Sequence, residues 1–349
     1  MNKNIFKYLL TSIVMVTLSI ILIFAANTQN KTCTLSESGY FFDTFITITL
    51  YDINTSKYDK YSDILKECLV MCNDYEKIFS TTLTDSELYS INHSDNNTFN
   101  LSSSLSSVIE KSLYYYDITN GAYDVFLGDT ISLWNFKNET IPTPEEISNT
   151  LTIRNNTIIT FTDKTLQFDN ISESRPTLNL GGIAKGYIAD MLKEFLVENG
   201  VSSAIINLGG NVLMIGSKAN GENFNIGIKK PFTESGENIA IISASDYSVV
   251  TSGIYERYFT KDNIIYHHLI NPLTGKPTDN NLYSVTIISK SSTEADALST
   301  GIFVLGLDAG IDLINSLPDT YAVFCDNENN LVLSDGLTML EDNTILISK

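Results

Sequence analysis

Three short stretches of this 349-residue chain carry side chains that fit one kind of chemistry. The first, Leu178-Asn179-Leu180-Gly181-Gly182-Ile183-Ala184-Lys185-Gly186, reads as a strand end, a glycine turn and the first turn of a helix bearing a lysine. Such a junction offers unpaired backbone N–H groups and a positive helix end to an anion, usually a phosphate. The second, Ala295-Asp296-Ala297-Leu298-Ser299-Thr300, places a carboxylate and a hydroxyl four residues apart, on one helix face. Oxygen ligands of this kind suit magnesium, which keeps waters and leaves room for substrate phosphates. The third, His267-His268-Leu269-Ile270-Asn271-Pro272-Leu273-Thr274-Gly275, sets a histidine just before a proline-glycine turn, and histidine titrates near neutrality. Phosphate cradle, hard-metal ligands and a titratable base together point to phosphoryl transfer.

Each stretch alone has a plainer explanation. A glycine pair is often only a tight turn, Thr293-Glu294 fits a helix cap, and a histidine at a strand end is more often structural. Two details weigh against the plain readings. Lys185 in the first turn opposes the helix dipole, which a nearby anion would explain. Asp296, Ser299 and Thr300 interrupt the apolar series Ala295, Ala297, Leu298, Ile302 and Phe303, and polar groups on a buried helix need partners. A second glycine turn, Asn207-Leu208-Gly209-Gly210-Asn211, means by itself no more than a tight bend. Trp134, the sole tryptophan, belongs to the core or a pocket wall.

The elements that must position these residues follow from periodicity. Thr44 to Leu50 alternates Ile46, Ile48 and Leu50 with threonines, predicting a half-buried strand. Tyr58 to Phe79 carries Ile64, Leu65, Cys68, Leu69, Cys72 and Ile78 at helical spacing. Further helices are predicted over Ser104–Asp117, Ala184–Glu198, Glu294–Leu305 and Asp308–Ser316. Hairpins are predicted around Asp163-Lys164 and Asp262-Asn263, the latter joining Tyr255–Phe259 to Ile264–His268. Strands are expected over Ser203–Leu208, Val212–Ile215, Phe224–Ile228 and Leu282–Ser289, with three short ones at the end. Hairpins with irregularly interspersed helices favour an α+β fold of mixed, largely antiparallel sheets over a doubly wound parallel one. No long linker divides residues 35–349, which read as a single compact unit.

Residues 1–34 read separately. Tyr8 to Ala26 is apolar apart from Thr11, Ser12, Thr17 and Ser19, and Lys3 and Lys7 precede it. Its length is close to the ~20 residues that span a bilayer, and the positive flank puts everything after it outside. A membrane anchor is the favoured expectation and a cleaved signal peptide, with Ala25 and Ala26 at the cut, its rival; either leaves the body extracytoplasmic. The net charge of -19 argues against nucleic acid or anionic membrane surfaces as the main partner. Phosphate must therefore be held by local amides, a lysine or a cation. Cys33, Cys68, Cys72 and Cys325 form no metal pattern, and Cys68 and Cys72, one helical turn apart, read as buried thiols. Nothing in the sequence selects an oligomeric state.

Taken in order, the segments resemble the ApbE family of FAD:protein FMN transferases along nearly the whole body. The resemblance rests on Phe42-Asp43-Thr44, Glu76 to Ser80, Ser86-Glu87-Leu88 to Asn92, Asn120-Gly121-Ala122-Tyr123-Asp124 to Phe136, Leu180 to Asp190 and Asn207-Leu208-Gly209-Gly210. It continues through Thr251-Ser252-Gly253-Ile254-Tyr255-Glu256-Arg257, His268 to Gly275, and Ser284-Val285-Thr286 to Thr300. The resemblance implies an enzyme that uses FAD as substrate and magnesium as cofactor, moving the FMN half onto a threonine or serine hydroxyl of an acceptor protein with loss of AMP. It implies a metal held by the Gly182 carbonyl, Asp296 and Thr300. FAD would contact Phe42, Ala122, Tyr123, Asp124, Asn179, Lys185 and Ile270, and His268 would help deprotonate the acceptor. Extracytoplasmic redox subunits are the implied kind of partner. An FAD pyrophosphatase and a non-catalytic flavin-binding surface protein remain alternatives.

The chain departs from the family pattern at three places. Asn179 and Asn271 stand where the family usually carries aspartate, which removes two negative charges near the site. Thr82 falls near the position of an aromatic residue that helps hold the nucleotide, and loss of that face would cost about 1 kcal/mol of stacking.

Overall fold

Strand and helix formation follow the apolar period closely enough to show where the site must lie. In the computed structural model the described residues are 32–171, 174–233 and 236–348. They begin with the hairpin β1 (Thr32–Phe41) and β2 (Thr44–Asn54), then α1 (Tyr58–Phe79), α2 (Glu87–Asn92), β3 (Thr98–Asn100), α3 (Ser103–Ile118), α4 (Gly128–Leu133) and α5 (Pro144–Asn156). A second hairpin, β4 (Ile158–Thr162) and β5 (Thr165–Asp169), leads to α6 (Ala184–Glu198). Next come β6 (Ala204–Leu208), β7 (Asn211–Ile215), β8 (Phe224–Lys229), β9 (Asn238–Ala244), β10 (Ser248–Gly253), β11 (Tyr258–Lys261), β12 (Ile264–His267) and β13 (Leu282–Ser289). The chain closes with α7 (Ser292–Leu305), α8 (Leu307–Ser316), β14 (Tyr321–Asp326), β15 (Leu331–Leu333), β16 (Leu337–Met339) and β17 (Thr344–Ile347).

An eight-stranded sheet in the order β1-β2-β6-β7-β10-β13-β14-β15 forms the backbone of the molecule, and its neighbours all pair antiparallel. Leu213, Val250, Val285, Ile287 and Phe324 face the helices and join the main core with Ile188 and Leu192 of α6 and Leu298 and Ile302 of α7. Their immediate neighbours Met214, Val249, Ile288 and Val323 point the other way, as the two-residue period of a strand requires. There they meet Phe224, Ile242 and Ile345 of a four-stranded sheet, β16-β17-β9-β8, whose β17–β9 pair is parallel. The central strands are thus covered on both faces, which is why β13 is buried almost along its whole length. The fold is α+β with largely antiparallel sheets, as the sequence predicts.

Several elements sharpen the sequence reading. The chain ends in four short strands, not three. The strand predicted from Tyr255 begins at Tyr258, because a turn closed by Glu256 N–H on the Gly253 carbonyl comes first. The apolar segment Tyr8–Ala26 lies outside the described residues, and among those no helix is long and apolar enough to cross a membrane. Strand β1 starts at Thr32, so the last residues assigned to the leader already belong to the sheet. Cys68 and Cys72 are fully buried on α1, and burial pushes both thiols up to about 12.

One end of the large sheet collects the loops that matter. The β1–β2 turn, the β6–β7 turn, the C-terminal end of β10 and the N-terminal end of β13 all lie there by register. A Cβ at Gly209 would meet the Thr44 hydroxyl at 2.3 Å, so the first two of these turns touch.

Candidate active site

Helix α6 begins where chain and neighbours fix the Asn179–Gly182 segment from several sides. The Asn92 side-chain amide brackets Leu178, donating to its carbonyl at 2.8 Å and accepting from its N–H at 2.9 Å. Asn179 N–H donates to the Val125 carbonyl at 2.8 Å, and its own side-chain oxygen accepts from Gly181 N–H at 2.9 Å. The Leu180 carbonyl then accepts from both Ile183 and Ala184 and closes the first turn. The glycine turn and helix start predicted from the sequence are present.

Helix α7 crosses this start at backbone contact. A Cβ at Gly186 would lie 2.3 Å from the Ser292 carbonyl and 2.7 Å from Asp296 Cβ, so no larger residue fits the crossing. The Asp296 carboxylate, 4% exposed, accepts from Gly186 N–H at 2.9 Å, and its other oxygen is 3.7 Å from Lys185 Nζ. Thr300, one turn later, packs on Gly182: a Cβ there would meet Thr300 Oγ1 at 3.0 Å and the Tyr123 ring at 3.2 Å. Gly182, Lys185, Asp296, Thr300 and Tyr123 are therefore one cluster. Tyr123 Oη is buried and has no hydrogen-bond partner among the described residues; burial first, then the Asp296 carboxylate, raises its pKa well above the ordinary value.

His268 follows β12, its N–H donating to the Arg257 carbonyl at 3.1 Å. Its Nδ1 lies 3.3 Å from the same carbonyl. A carbonyl only accepts, so Nδ1 carries the proton and Nε2 is the free base. His267 has the opposite tautomer: Nε2 donates to the Thr278 carbonyl at 2.9 Å, and Nδ1 accepts from Leu269 N–H. Burial lowers His267 to about 4. His268 keeps part of its surface open, yet burial, then Arg257 and His267, with Lys185 adding to them, lower it to about 3.

Beyond His268 the chain folds back in a rigid hairpin. Asn271 Oδ1 accepts from Leu273 N–H at 2.8 Å, and Asn271 N–H donates to the Lys276 carbonyl at 2.8 Å. Trp134 Nε1 donates to the Gly275 carbonyl at 2.9 Å, and Ile270 packs with Trp134 and Ile147. Asn271 thus acts as a turn-former, for which an amide serves as well as a carboxylate. Trp134 is a buried core residue, one of the two places expected for it.

The remaining predicted contacts, Phe42, Ala122 and Asp124, have no hydrogen bond to this cluster among the described residues and are held by other neighbours. Phe42 and Asp43 form the β1–β2 turn with φ of 52° and 56°, and Glu76 Oε1 fixes it by accepting from Phe42 N–H at 2.7 Å. Ala122 precedes Tyr123 in the turn that closes α3. Asp124 points inward, one oxygen accepting from Arg154 Nε at 2.7 Å and the other from Phe126 N–H at 2.8 Å; burial nonetheless raises its pKa. Thr82 bonds only to Ser80 in the loop after α1.

Two residues inside the resembling segments have roles the sequence does not assign. Asp190, one turn after Gly186, takes both Ser291 and Thr293 hydroxyls and the Ser292 and Thr293 N–H groups, capping α7 from α6. Ser252, at the end of β10, bonds to both Ser299 and Thr300. Neither partner is near in sequence, so no local pattern announces them.

An α+β body with a glycine-opened helix start and a carboxylate–hydroxyl pair packed against it is the arrangement that comparison with known proteins identifies. Residues 42–325 match the ApbE family. The FAD:protein FMN transferase of Treponema pallidum is 31% identical over 292 residues, covering 78% of this chain and 80% of that protein. That of Klebsiella pneumoniae is 32% identical over 263 residues, covering 74% and 81%. Among solved structures, the flavin transferase ApbE from Vibrio cholerae superposes with a TM-score of 0.75 at 27% identity, covering 87% of this chain and 98% of that one. The ApbE protein of Thermotoga maritima gives 0.76 at 27% identity, covering 87% and 97%. The chain belongs to the ApbE family.

Proposed function

We propose that this protein is an FAD:protein FMN transferase that moves the FMN moiety of FAD onto a threonine or serine hydroxyl of an acceptor protein, with magnesium, and releases AMP. The observation that carries the reading is the single cluster of Gly182, Lys185, Asp296 and Thr300 at the start of α6.

The residues fit a hard cation. Among the described residues no three His, Cys, Asp or Glu side chains cluster, but the set here is a carboxylate, a hydroxyl and the Gly182 carbonyl, all oxygen. Asp296 is nearly buried, with one oxygen accepting from Gly186 N–H at 2.9 Å and the other 3.7 Å from Lys185 Nζ, beyond hydrogen-bond reach, so the second oxygen keeps its lone pairs for a cation. Magnesium at Asp296, Thr300 and the Gly182 carbonyl would neutralise charge on the pyrophosphate oxygens.

The chain's own groups do the rest. The N–H groups of Gly181, Ile183, Ala184 and Gly186 are already bonded, so the Lys185 ammonium at the start of α6 is the group that binds the pyrophosphate. Phe42, Ala122, Tyr123, Asn179 and Ile270 border the flavin nucleotide, and Asp124, held by Arg154, keeps the Ala122-Tyr123 turn in place. His268 Nε2 takes the proton of the acceptor hydroxyl. The hydroxyl oxygen then bonds to the FMN phosphorus, the P–O bond to the bridging oxygen breaks, and AMP leaves with that electron pair. An anion bound at Lys185 and Arg257 would offset positive charges that add to burial in lowering His268, and so raise its basicity. The acceptor would be an extracytoplasmic redox subunit, and the Tyr8–Ala26 segment would hold the body at the outer face of the cell membrane.

The test is incubation of the protein with FAD, magnesium and an acceptor carrying a threonine or serine in a small-residue context, read by intact mass and released AMP. An acceptor heavier by one FMN, absent with chelator and with His268→Ala, is expected. FMN and AMP without acceptor labelling would instead mark a pyrophosphatase, and unchanged FAD a binding protein.

A further inference from the structure

Behind Thr300 runs a short chain of oxygens. Thr300 Oγ1 lies 3.3 Å from Ser252 Oγ, Ser252 Oγ lies 2.8 Å from Ser299 Oγ, and Ser299 Oγ donates to the Asp296 backbone carbonyl at 2.9 Å. Each hydroxyl has one proton to donate and lone pairs that accept, whereas a carbonyl only accepts. The far end therefore fixes the sense of the whole chain. Ser299 gives its proton to the Asp296 carbonyl, so it accepts from Ser252. Ser252 has then used its proton and accepts from Thr300. The Thr300 proton points back toward β10, and its lone pairs are left for Gly182 and the site.

This arrangement is not the default for the residue. A threonine inside a helix commonly turns its hydroxyl to the carbonyl four residues back. For Thr300 that carbonyl belongs to Asp296, and Ser299 already occupies it. The chain also closes on itself, since it starts at one oxygen ligand of the cluster and ends on the backbone of the other.

We infer that Ser252, acting with Ser299, is a positioning residue that orders the Thr300 hydroxyl as an oxygen donor to a hard divalent cation. The inference rests on the metal site proposed above and adds to it the group that sets the ligand's orientation. Such supporting contacts are worth about 10- to 100-fold in metal affinity.

The probe is manganese(II) alone, titrated into the full-length protein without FAD and read by electron paramagnetic resonance, with magnesium as competitor. Ser252→Ala should raise the manganese Kd about 10- to 100-fold, Ser252→Thr should restore it, and Ser299→Ala should weaken binding less than Ser252→Ala. In a Thr300→Val background, adding Ser252→Ala should change nothing further. A wild-type Kd in Ser252→Ala, or an undiminished Ser252→Ala effect without the Thr300 hydroxyl, overturns the inference while leaving the metal site standing. Manganese binding that ignores Asp296→Ala removes the metal site itself, and this inference with it.

Discussion

The same tetrapeptide, Asn-Leu-Gly-Gly, occurs twice, at 179–182 and 207–210, and folds in two ways. At the first, the asparagine side chain accepts from the N–H two residues on, neither glycine takes a positive φ, and a helix follows. At the second, the asparagine accepts from the N–H three residues on, Gly209 and Gly210 take φ of 65° and 95°, and a strand returns. The four residues do not decide between these outcomes. Their C-terminal neighbours do: Ala184 to Asp190 propagates a helix that α7 can cross, whereas Asn211 to Ile215 pairs with β6 and β10. The glycines also serve different ends, one admitting Thr300 and Tyr123 to the backbone and the other allowing a left-handed turn against Thr44.

The largest effect should come from cutting the first turn off from its partner helix. Asp296→Ala removes the carboxylate that holds Gly186 N–H, and turnover should fall about 10³-fold or more, since several kcal/mol of charge stabilisation would be lost. Circular dichroism should still show a folded protein; near-normal AMP release would remove Asp296 from the site.

Substituting the matched glycines sharpens the contrast. Gly182→Ala puts a methyl 3.0 Å from Thr300 Oγ1 and should lower activity about tenfold with little change in the unfolding midpoint, a loss that effective alignment commonly sets. Gly209→Ala meets Thr44 at 2.3 Å on a positive φ and should cost about 1–3 kcal/mol of stability while sparing kcat of the folded enzyme. Gly210→Ala has open space and only the φ penalty, about 1 kcal/mol. Equal activity losses at 182 and 209 would erase the distinction.

A stability effect without any loss of catalytic groups is a pH dependence tied to the histidine pair at the end of β12. His267 and His268 are neutral when folded, at about 4 and about 3, against 6.5 unfolded. The unfolded chain binds the extra protons, so stability is full above 6.5 and falls as pH drops toward 4. The slope is at most about 1.4 kcal/mol per pH unit for a buried histidine, and less for His268, which water partly screens. Denaturant midpoints at pH 7 and 4.5 should differ less in His267→Gln than in wild type.

Legibility in the sequence tracks burial. Helices α1 and α6 begin and end where the apolar period puts them, because one full face of each is buried. Strand β1 escapes the period because, of its ten residues, only Leu35 is buried, and Ser36 and Ser38 bond to Thr49 and Thr47 on an open face. Helix α5 escapes it for the same reason, with Ile147 its single buried residue. Its signal is capping instead: Thr143 and Glu146 bond reciprocally ahead of Pro144. For the candidate site, chemical type and order nominate Lys185, Asp296, Thr300 and His268, and the fold brings the first three together. The contacts that set their orientation are not legible, because Ser252 and Asp190 act across more than 40 and 100 residues of chain.

The indole of Trp134 has a use beyond holding the Gly275 carbonyl. It is the only tryptophan of the chain, and it sits beneath the hairpin that continues from His268. Indole emits in the near-ultraviolet, where the isoalloxazine ring absorbs, so a flavin arriving at this end of the sheet would quench that emission by energy transfer. If flavin binds as proposed, Trp134 would serve as an intrinsic optical gauge of occupancy, readable without label or acceptor.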